Sequence, residues 1–319
     1  MYHNGHLVLN VHIMNHKKIA LLSLPIIALL SGCGGGGGGG SSLTQITFSD
    51  WDSITKPSQV NLEGLSVDFS YTAGSKVSTI TNKGVDSTTT ASVNYRTNDT
   101  ISKVSFTSQN GTVTFNEDGT DTIGDTGTTV YGYNQAGSNF LLAANPLNSS
   151  VDWNYQTFGI WETGRGTGSG TAGGISVGAA TDGSSIPTSG TATYSGYFGG
   201  VLVDYDGDDF ITRGRVSLGA DFTNRTLTFA TTSTDYLSPV ATTPTWRSDS
   251  SLNISNVAGT KLSWSAATNS FTGNVVDGNS LSGTVTGKFY GPAAEEVGGI
   301  YNISGSGLNR HAGAFGAKR

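Results

Sequence analysis

The chain has 319 residues, with 46 glycines and a single cysteine, Cys33. One thiol excludes an intramolecular disulfide and any zinc site that needs paired thiolates. After Cys33 the chain carries 15 basic and 23 acidic side chains, so a phosphate backbone is a poor ligand and no nucleic acid is expected as a partner.

The N-terminus has the pattern of an export signal. Lys17 and Lys18 precede a 12-residue apolar run, which is too short to span a bilayer. The order Leu-Ser-Gly-Cys that ends at Cys33 is typical of a bacterial lipobox, in which the cysteine is acylated. We therefore predict a lipoprotein signal peptide over residues 1–33, with the true start at Met14 and lipidation at Cys33. The alternative is a free reactive or buried thiol.

Residues 34–43 follow as a predicted Gly/Ser tether. Seven consecutive glycines offer no side chain to bury and lose much entropy on ordering, so they do not fold. As a random coil the segment spans roughly 15–18 Å, which holds a folded body clear of lipid headgroups. Gly34 stands where an inner-membrane retention signal would place Asp, which favours the outer membrane.

The region 44–186 has the periodicity of β-strands. Segments with alternating or β-branched residues are expected to form strands, near 44–48, 65–72, 91–95, 101–106 and 112–115. An aromatic-rich strand is expected at 156–161. A glycine-rich segment, 164–174, reads as either a linker or a binding loop, and the sequence leaves the choice open.

The region 187–319 has strand segments at short, regular spacing. They lie at 190–198, 200–205, 211–222, 226–232, 250–256, 269–276, 280–290, 297–304 and, as a last short one, 312–318. In Leu281–Tyr290 apolar or small residues alternate with polar ones, which is typical of a strand buried on one face. We predict an all-β fold that ends in an eight-stranded antiparallel barrel. Only 291–297 indicates a helix, of at most two turns.

Three C-terminal stretches together point to one family: GTATYSGYFGG (190–200), GKFYGPAAEEVGGIY (287–301) and GAFGAKR (313–319). They resemble the β-barrel domain of transferrin-binding protein B and its single-lobe surface-lipoprotein relatives. The resemblance covers about residues 150–319. It implies a handle-like β domain over 44–186, a side-chain-filled barrel over 187–319 and a lipid anchor at the cell surface. Iron-piracy receptors of this family usually have two handle-barrel lobes, whereas this chain shows one.

Several motifs have a functional and a structural interpretation. The carboxylates Asp204, Asp206, Asp208 and Asp209 have the charge of a calcium loop but lack the closing Glu of an EF-hand, so we interpret them as a hairpin turn and leave calcium open. The segment 164–174 lacks the lysine and following helix of a phosphate loop.

Two further motifs bear on catalysis and haem. His311 is the only histidine after Cys33, and no G-x-S-x-G elbow accompanies it. It or a tyrosine could be an axial ligand of haem, but we interpret it as a polar residue in the turn before the last strand. Glu295 and Glu296 are adjacent and point apart on a helix, so we interpret them as part of a cap over the barrel end.

The sequence therefore favours a non-catalytic, monomeric surface lipoprotein of the outer membrane. We expect it to bind a host protein or a scavenged iron or haem-type ligand, in iron acquisition, with no cofactor and no metal site. The contact surface is predicted at 233–248, where Trp246 stands in a loop-like stretch. A structural or adhesive surface protein is the alternative.

Overall fold

A computed structural model describes residues 43–73, 76–165, 167–204, 208–237, 245–305 and 309–319. The predicted signal peptide, Cys33 and the tether before Leu43 lie outside the described residues. Residues 42–319 form one compact unit. Within the part of the chain that the structure describes, no helix is long and apolar enough to cross a membrane.

The first sheet contains ten strands from the N-terminal half. They are β1 (Thr44–Thr47), β2 (Ser58–Ala73), β3 (Val77–Tyr95), β4 (Ile101–Ser108), β5 (Gly111–Asn116), β6 (Thr122–Asp125), β7 (Thr129–Tyr133), β8 (Phe140–Ala144), β9 (Gln156–Thr163) and β10 (Ser169–Gly178). Their order is β5-β4-β3-β2-β10-β9-β8-β7-β6, and the short β1 runs parallel to β2. All other pairs of this sheet are antiparallel.

The second sheet closes into a barrel. Its strands are β11 (Thr191–Val203), β12 (Asp209–Asp221), β13 (Thr226–Leu237), β14 (Arg247–Ser248), β15 (Ile254–Asn256), β16 (Leu262–Trp264), β17 (Phe271–Asp277), β18 (Ser282–Tyr290), β19 (Glu296–Ser304) and β20 (Arg310–Lys318). The ring closes because β12 pairs with both β11 and β13, and β20 pairs with both β11 and β19. The short β15 and β16 together occupy one strand position between β13 and β17, so the barrel is eight-stranded. The predicted all-β fold with an antiparallel eight-stranded barrel is confirmed.

The barrel is filled by side chains. The inward positions of β18 follow the predicted alternation, with Val285 and Phe289 fully buried. Phe289 contacts four aromatic rings, those of Tyr194, Phe222, Trp264 and Phe271. The lumen is therefore a packed core and not an open channel.

Several local predictions were wrong. The predicted strands 190–198 and 200–205 form one strand, β11 (Thr191–Val203), with residue 205 outside the described residues. The predicted strand at 250–256 is a 3₁₀ turn, Ser250–Leu252, followed by the three-residue β15. The sequence analysis missed β6, β7, β8 and β16. A second 3₁₀ turn, Gly183–Ser185, joins the two sheets.

The predicted helix at 291–297 is a turn. Gly291 and Ala294 both have positive φ, +85° and +61°, which no right-handed helix contains. The turn is held by Tyr194, whose hydroxyl donates to the Ala294 carbonyl at 2.7 Å, and by Glu295, which accepts from the Ala293 amide at 2.8 Å. The side chain of Tyr194 comes from inside the barrel, so the segment still covers the barrel end.

The two sheets pack face to face over a shared apolar layer. Val67 and Phe69 of β2 and Ile160 of β9 contact the outward residues Ile300 of β19 and Ala314 of β20. A further core, around Trp161, lies on the other face of the first sheet. Because β20 is covered on one side by the barrel core and on the other by the first sheet, almost all its residues are buried.

Candidate functional site

The glycine-rich segment is structural. From Ser169 onward it forms β10, at the centre of the first sheet. A Cβ on Gly174 would lie 2.3 Å from the carbonyl carbon of Gly313, so the backbones of β10 and β20 touch at this point. Gly174 therefore sets how closely the sheets approach, and neither the linker nor the binding-loop interpretation applies to 169–174.

The second glutamate of the predicted cap joins the two sheets. Glu296 is buried, and its carboxylate accepts from the backbone amides of Asn154 at 2.5 Å and Tyr155 at 3.1 Å, just before β9. Burial raises the pKa of Glu296 to about 7, and these amides together with Lys318 partly offset that rise. The sequence analysis assigned Glu296 to the barrel end alone, because nothing local shows that a distant segment supplies the donors.

His311 is not in a turn, as predicted, but within β20, and its side chain points into the barrel. Its Nε2 lies 2.8 Å from the Thr212 hydroxyl and 2.9 Å from the Tyr301 hydroxyl. Complete burial lowers the pKa of His311 to about 3, so the ring is neutral. A haem iron cannot reach this ring, because it has no exposed surface and its Nε2 already faces two hydroxyls. His311 does not fit an axial ligand.

The acidic stretch after β11 divides between a loop and the barrel wall. Asp206 lies outside the described residues, and the Asp208 amide donates to an Asp204 carboxylate oxygen at 3.0 Å. Asp209 opens β12, where Arg165 Nε lies 2.9 Å from its Oδ2. Its charge is therefore already paired. Within the described residues no cluster of His, Cys, Asp or Glu could hold a metal ion, and calcium at this stretch stays an untested prediction.

The Arg165–Asp209 pair belongs to a buried polar cluster between the sheets. Glu162 of β9 accepts a hydrogen bond from the Tyr71 hydroxyl of β2. Burial and the negative charge of Asp209 raise the pKa of Glu162 to about 8, and burial also raises the pKa of Tyr71. The cluster links β2, β9 and β12. Glu162, Asp209 and Tyr71 are buried, although Tyr71 also borders an open depression between β2 and β10, and we interpret the cluster as a structural contact.

Two large open features are present in the described part of the chain. One, of about 680 Å³, lies along β2, β3 and β4. The other, of about 640 Å³, is a cleft between the edge of the first sheet and the barrel. The wall from the first sheet consists of β7, β8 and β9, which contribute Tyr131, Leu142 and Phe158. Its barrel wall consists of β11, β12 and β13 and carries two arginines, Arg213 and Arg215. We call this feature the interdomain cleft.

Both arginines of the interdomain cleft stack on aromatic rings. The Arg213 guanidinium carbon lies 3.8 Å from the centre of a Trp246 ring, and that of Arg215 lies 4.5 Å from the centre of the Tyr197 ring. Stacking holds a planar guanidinium in one orientation while its N–H groups stay free to donate. Trp246, predicted as a contact residue, therefore lies at the cleft; residues 238–244 of its predicted surface lie outside the described residues.

A β-bulge shapes the barrel wall at the arginines. Arg213 is opposite Asp235, but Arg215 is opposite Thr232, so β13 contains one extra residue here. Ser233 takes positive φ, +54°, and Thr234 turns inward to donate to Asn253 Oδ1 at 2.7 Å. The bulge brings the Asp235 side chain to the face of Arg213, 3.8 Å from its Nε. Sequence reasoning missed both arginines as site residues, because nothing local shows that Trp246 and Tyr197 lie beside them.

The fold and the cleft define an all-β protein in which a closed antiparallel barrel supports a second sheet. Residues 186–319 match the family described as C-lobe and N-lobe beta barrels of Tf-binding protein B. The barrel region therefore belongs to this family, and the resemblance drawn from the three C-terminal stretches is confirmed for it.

Solved structures with similar folds share little sequence with the chain. Transferrin binding protein B from Haemophilus parasuis Hp5 has 13% identity and a TM-score of 0.42, and the match covers 72% of this chain and 51% of that one. Transferrin binding protein B from serogroup B Neisseria meningitidis has 15% identity and a TM-score of 0.41, and the match covers 80% of this chain and 43% of that one.

A third similar structure is a single lobe. The N-lobe domain of lactoferrin binding protein B from Moraxella bovis has 13% identity, a TM-score of 0.37, and coverages of 81% and 99%. The chain spans about half the length of the Haemophilus and Neisseria proteins. No curated protein matches its sequence.

Proposed function

We propose that the protein is a surface-exposed outer-membrane lipoprotein that binds a host iron-carrier protein of the transferrin type, without catalysis. The observation that carries the proposal is the family match over the barrel, since the relatives are named for transferrin and lactoferrin binding. The interdomain cleft supports it, because Trp, Tyr and Arg are the residues that contribute most to protein interfaces.

The lipid anchor is a separate part of the proposal and depends on Cys33. Acylation of this thiol would hold the folded body at the membrane through the tether. We expect Cys33→Ala to move the protein from the membrane pellet to the soluble fraction after cell lysis. A variant that stays in the pellet after a carbonate wash would contradict the lipobox assignment.

Binding is tested with purified protein on a biolayer interferometry surface. The probes are iron-loaded transferrin, iron-free transferrin and lactoferrin, with serum albumin as the matched negative control. Saturable binding of one iron carrier but not of albumin would support the proposal. Weak, unsaturable attachment to all four proteins would favour the adhesive alternative.

A further inference from the structure

We propose that the interdomain cleft binds an extended segment of a protein partner in which two acidic residues flank one apolar residue. This inference rests on the proposed function in one respect, that the partner is a protein.

The first argument is that the two arginines are prepared to bind carboxylates. Within the described part of the chain, the carboxylate nearest Arg213 is Asp235 at 3.8 Å, and none lies within 4.0 Å of Arg215. The Arg213 side chain is 55% exposed and Arg215 is also exposed. Both guanidinium groups lie over aromatic rings, and a guanidinium presents two parallel N–H donors in the geometry that a carboxylate accepts.

The second argument is spacing. Arg213 and Arg215 are alternate residues of β12, so their Cα atoms are about 6.6 Å apart and their side chains leave the same face. Alternate residues of an extended ligand have the same spacing, about 6.6 Å, and also point to one side. Two adjacent acidic residues would point to opposite sides and could not satisfy both arginines.

The third argument is the chemistry of the opposite wall. The residue between the two acidic ones points away from the arginines, toward β7 and β8. There Leu142, Ala144 and Tyr131 present a partly exposed surface that is mainly apolar. An apolar side chain fits this wall, whereas a phosphate chain or a sulfated glycan would place charge against it.

The fourth argument is charge complementarity. The chain after Cys33 has a net negative charge, so an acidic partner is repelled by most of its surface. The two exposed arginines face one carboxylate, that of Asp235, so the described residues leave one positive charge in excess and make the cleft a local exception. This contrast directs an acidic segment to the cleft and disfavours its attachment elsewhere.

The test uses a fluorescein-labelled peptide, Gly-Ser-Asp-Leu-Asp-Ser-Gly, and fluorescence anisotropy with the full folded protein. We expect saturable binding that weakens as salt rises, because the arginines are exposed. Two control peptides are used. One has Asp-Asp-Leu in place of Asp-Leu-Asp, which keeps the composition and changes the spacing, and the other has Asn-Leu-Asn, which keeps the spacing and removes the charge. Both should bind at least about tenfold more weakly, since each loses a bidentate charged contact.

The variants separate the two arginines from overall charge. Arg213→Gln and Arg215→Gln should each weaken peptide binding by about tenfold. Arg213→Lys should also weaken peptide binding, because lysine keeps the charge but has neither the paired N–H donors nor the planar group of a guanidinium. Lys261→Gln is the matched control, since it removes one exposed charge near β16, at the other end of β13. Its binding should equal that of the unmodified protein.

Three results would overturn the inference. Equal binding of Asp-Leu-Asp and Asp-Asp-Leu would refute the spacing argument, and equal binding by the Arg213→Gln and unmodified proteins would refute the site. Arginine-dependent binding of a heparin fragment without peptide binding would make the cleft a polyanion site.

Iron-loaded transferrin, measured on the same variants, separates this inference from the proposed function. If transferrin binds and the arginine variants bind it equally, the function stands and the cleft assignment fails. If the peptide binds through the arginines and no iron carrier binds, the cleft assignment stands and the function fails.

Discussion

Replacing Gly174 with alanine tests whether backbone contact sets the distance between the two sheets. The new Cβ would lie 2.3 Å from the Gly313 carbonyl carbon and 2.8 Å from the Ala314 nitrogen, where ordinary contacts begin at 3.4 Å. The sheets must therefore separate by about 1 Å, and such a gap removes a quarter to a half of the dispersion energy of the facing atoms. Neither obstacle is a flexible side chain, so we expect a loss of about 3 kcal/mol in the free energy of unfolding.

Urea unfolding followed by tryptophan fluorescence measures this loss, and thermal unfolding should show a midpoint lower by roughly 6–12 °C. Gly199→Ala is the matched control, because Gly199 also lies on the face of a barrel strand near β9 but its Cβ would be 3.6 Å from Ile160. That change should alter stability by less than about 0.5 kcal/mol. Equal stability of the two variants would refute the close-approach argument.

Two predictions concern pH. The pKa of Glu162 rises from 4.5 unfolded to about 8 folded, so the folded state binds the extra proton and stability falls as pH rises across this window. We expect the unmodified protein to lose up to about 5 kcal/mol between pH 4.5 and 8 through this group, and Glu162→Gln to remove that part of the slope in urea titrations. His311 should give an NMR ring signal that does not titrate between pH 5 and 8; it is the only histidine after Cys33, and a midpoint near 6.5 would contradict its burial.

The barrel could be predicted because its strands obey a local rule. Alternation in Leu281–Tyr290 specifies which face is buried, and the structure places Val285 and Phe289 in the core as expected. The first sheet was predicted less completely, because β6, β7 and β8 are only four or five residues long and such short segments carry little periodicity.

Errors occurred where residues distant in sequence decide the environment. His311 looks like a surface residue in isolation, yet Thr212 of β12 and Tyr301 of β19 surround it in the barrel. The segment 169–174 looks like a flexible loop because it is rich in glycine, but Gly174 is needed for contact with β20, a requirement that only the folded pair of sheets reveals. The arginines of the cleft lie over Trp246 and Tyr197, which come from other segments of the chain.

The contacts that misled the sequence analysis also give the cleft its value for binding. Glu296 fixes the segment before β9 to the barrel, and Gly174 lets the two backbones touch, so the walls of the interdomain cleft belong to one packed body. Trp246 and Tyr197 then hold the arginines in place before any ligand arrives. A partner segment therefore loses its own freedom on binding but meets donors that are already ordered, which lowers the entropic cost of the complex. The affinity of the cleft should depend on the integrity of the sheet contact as well as on the arginines.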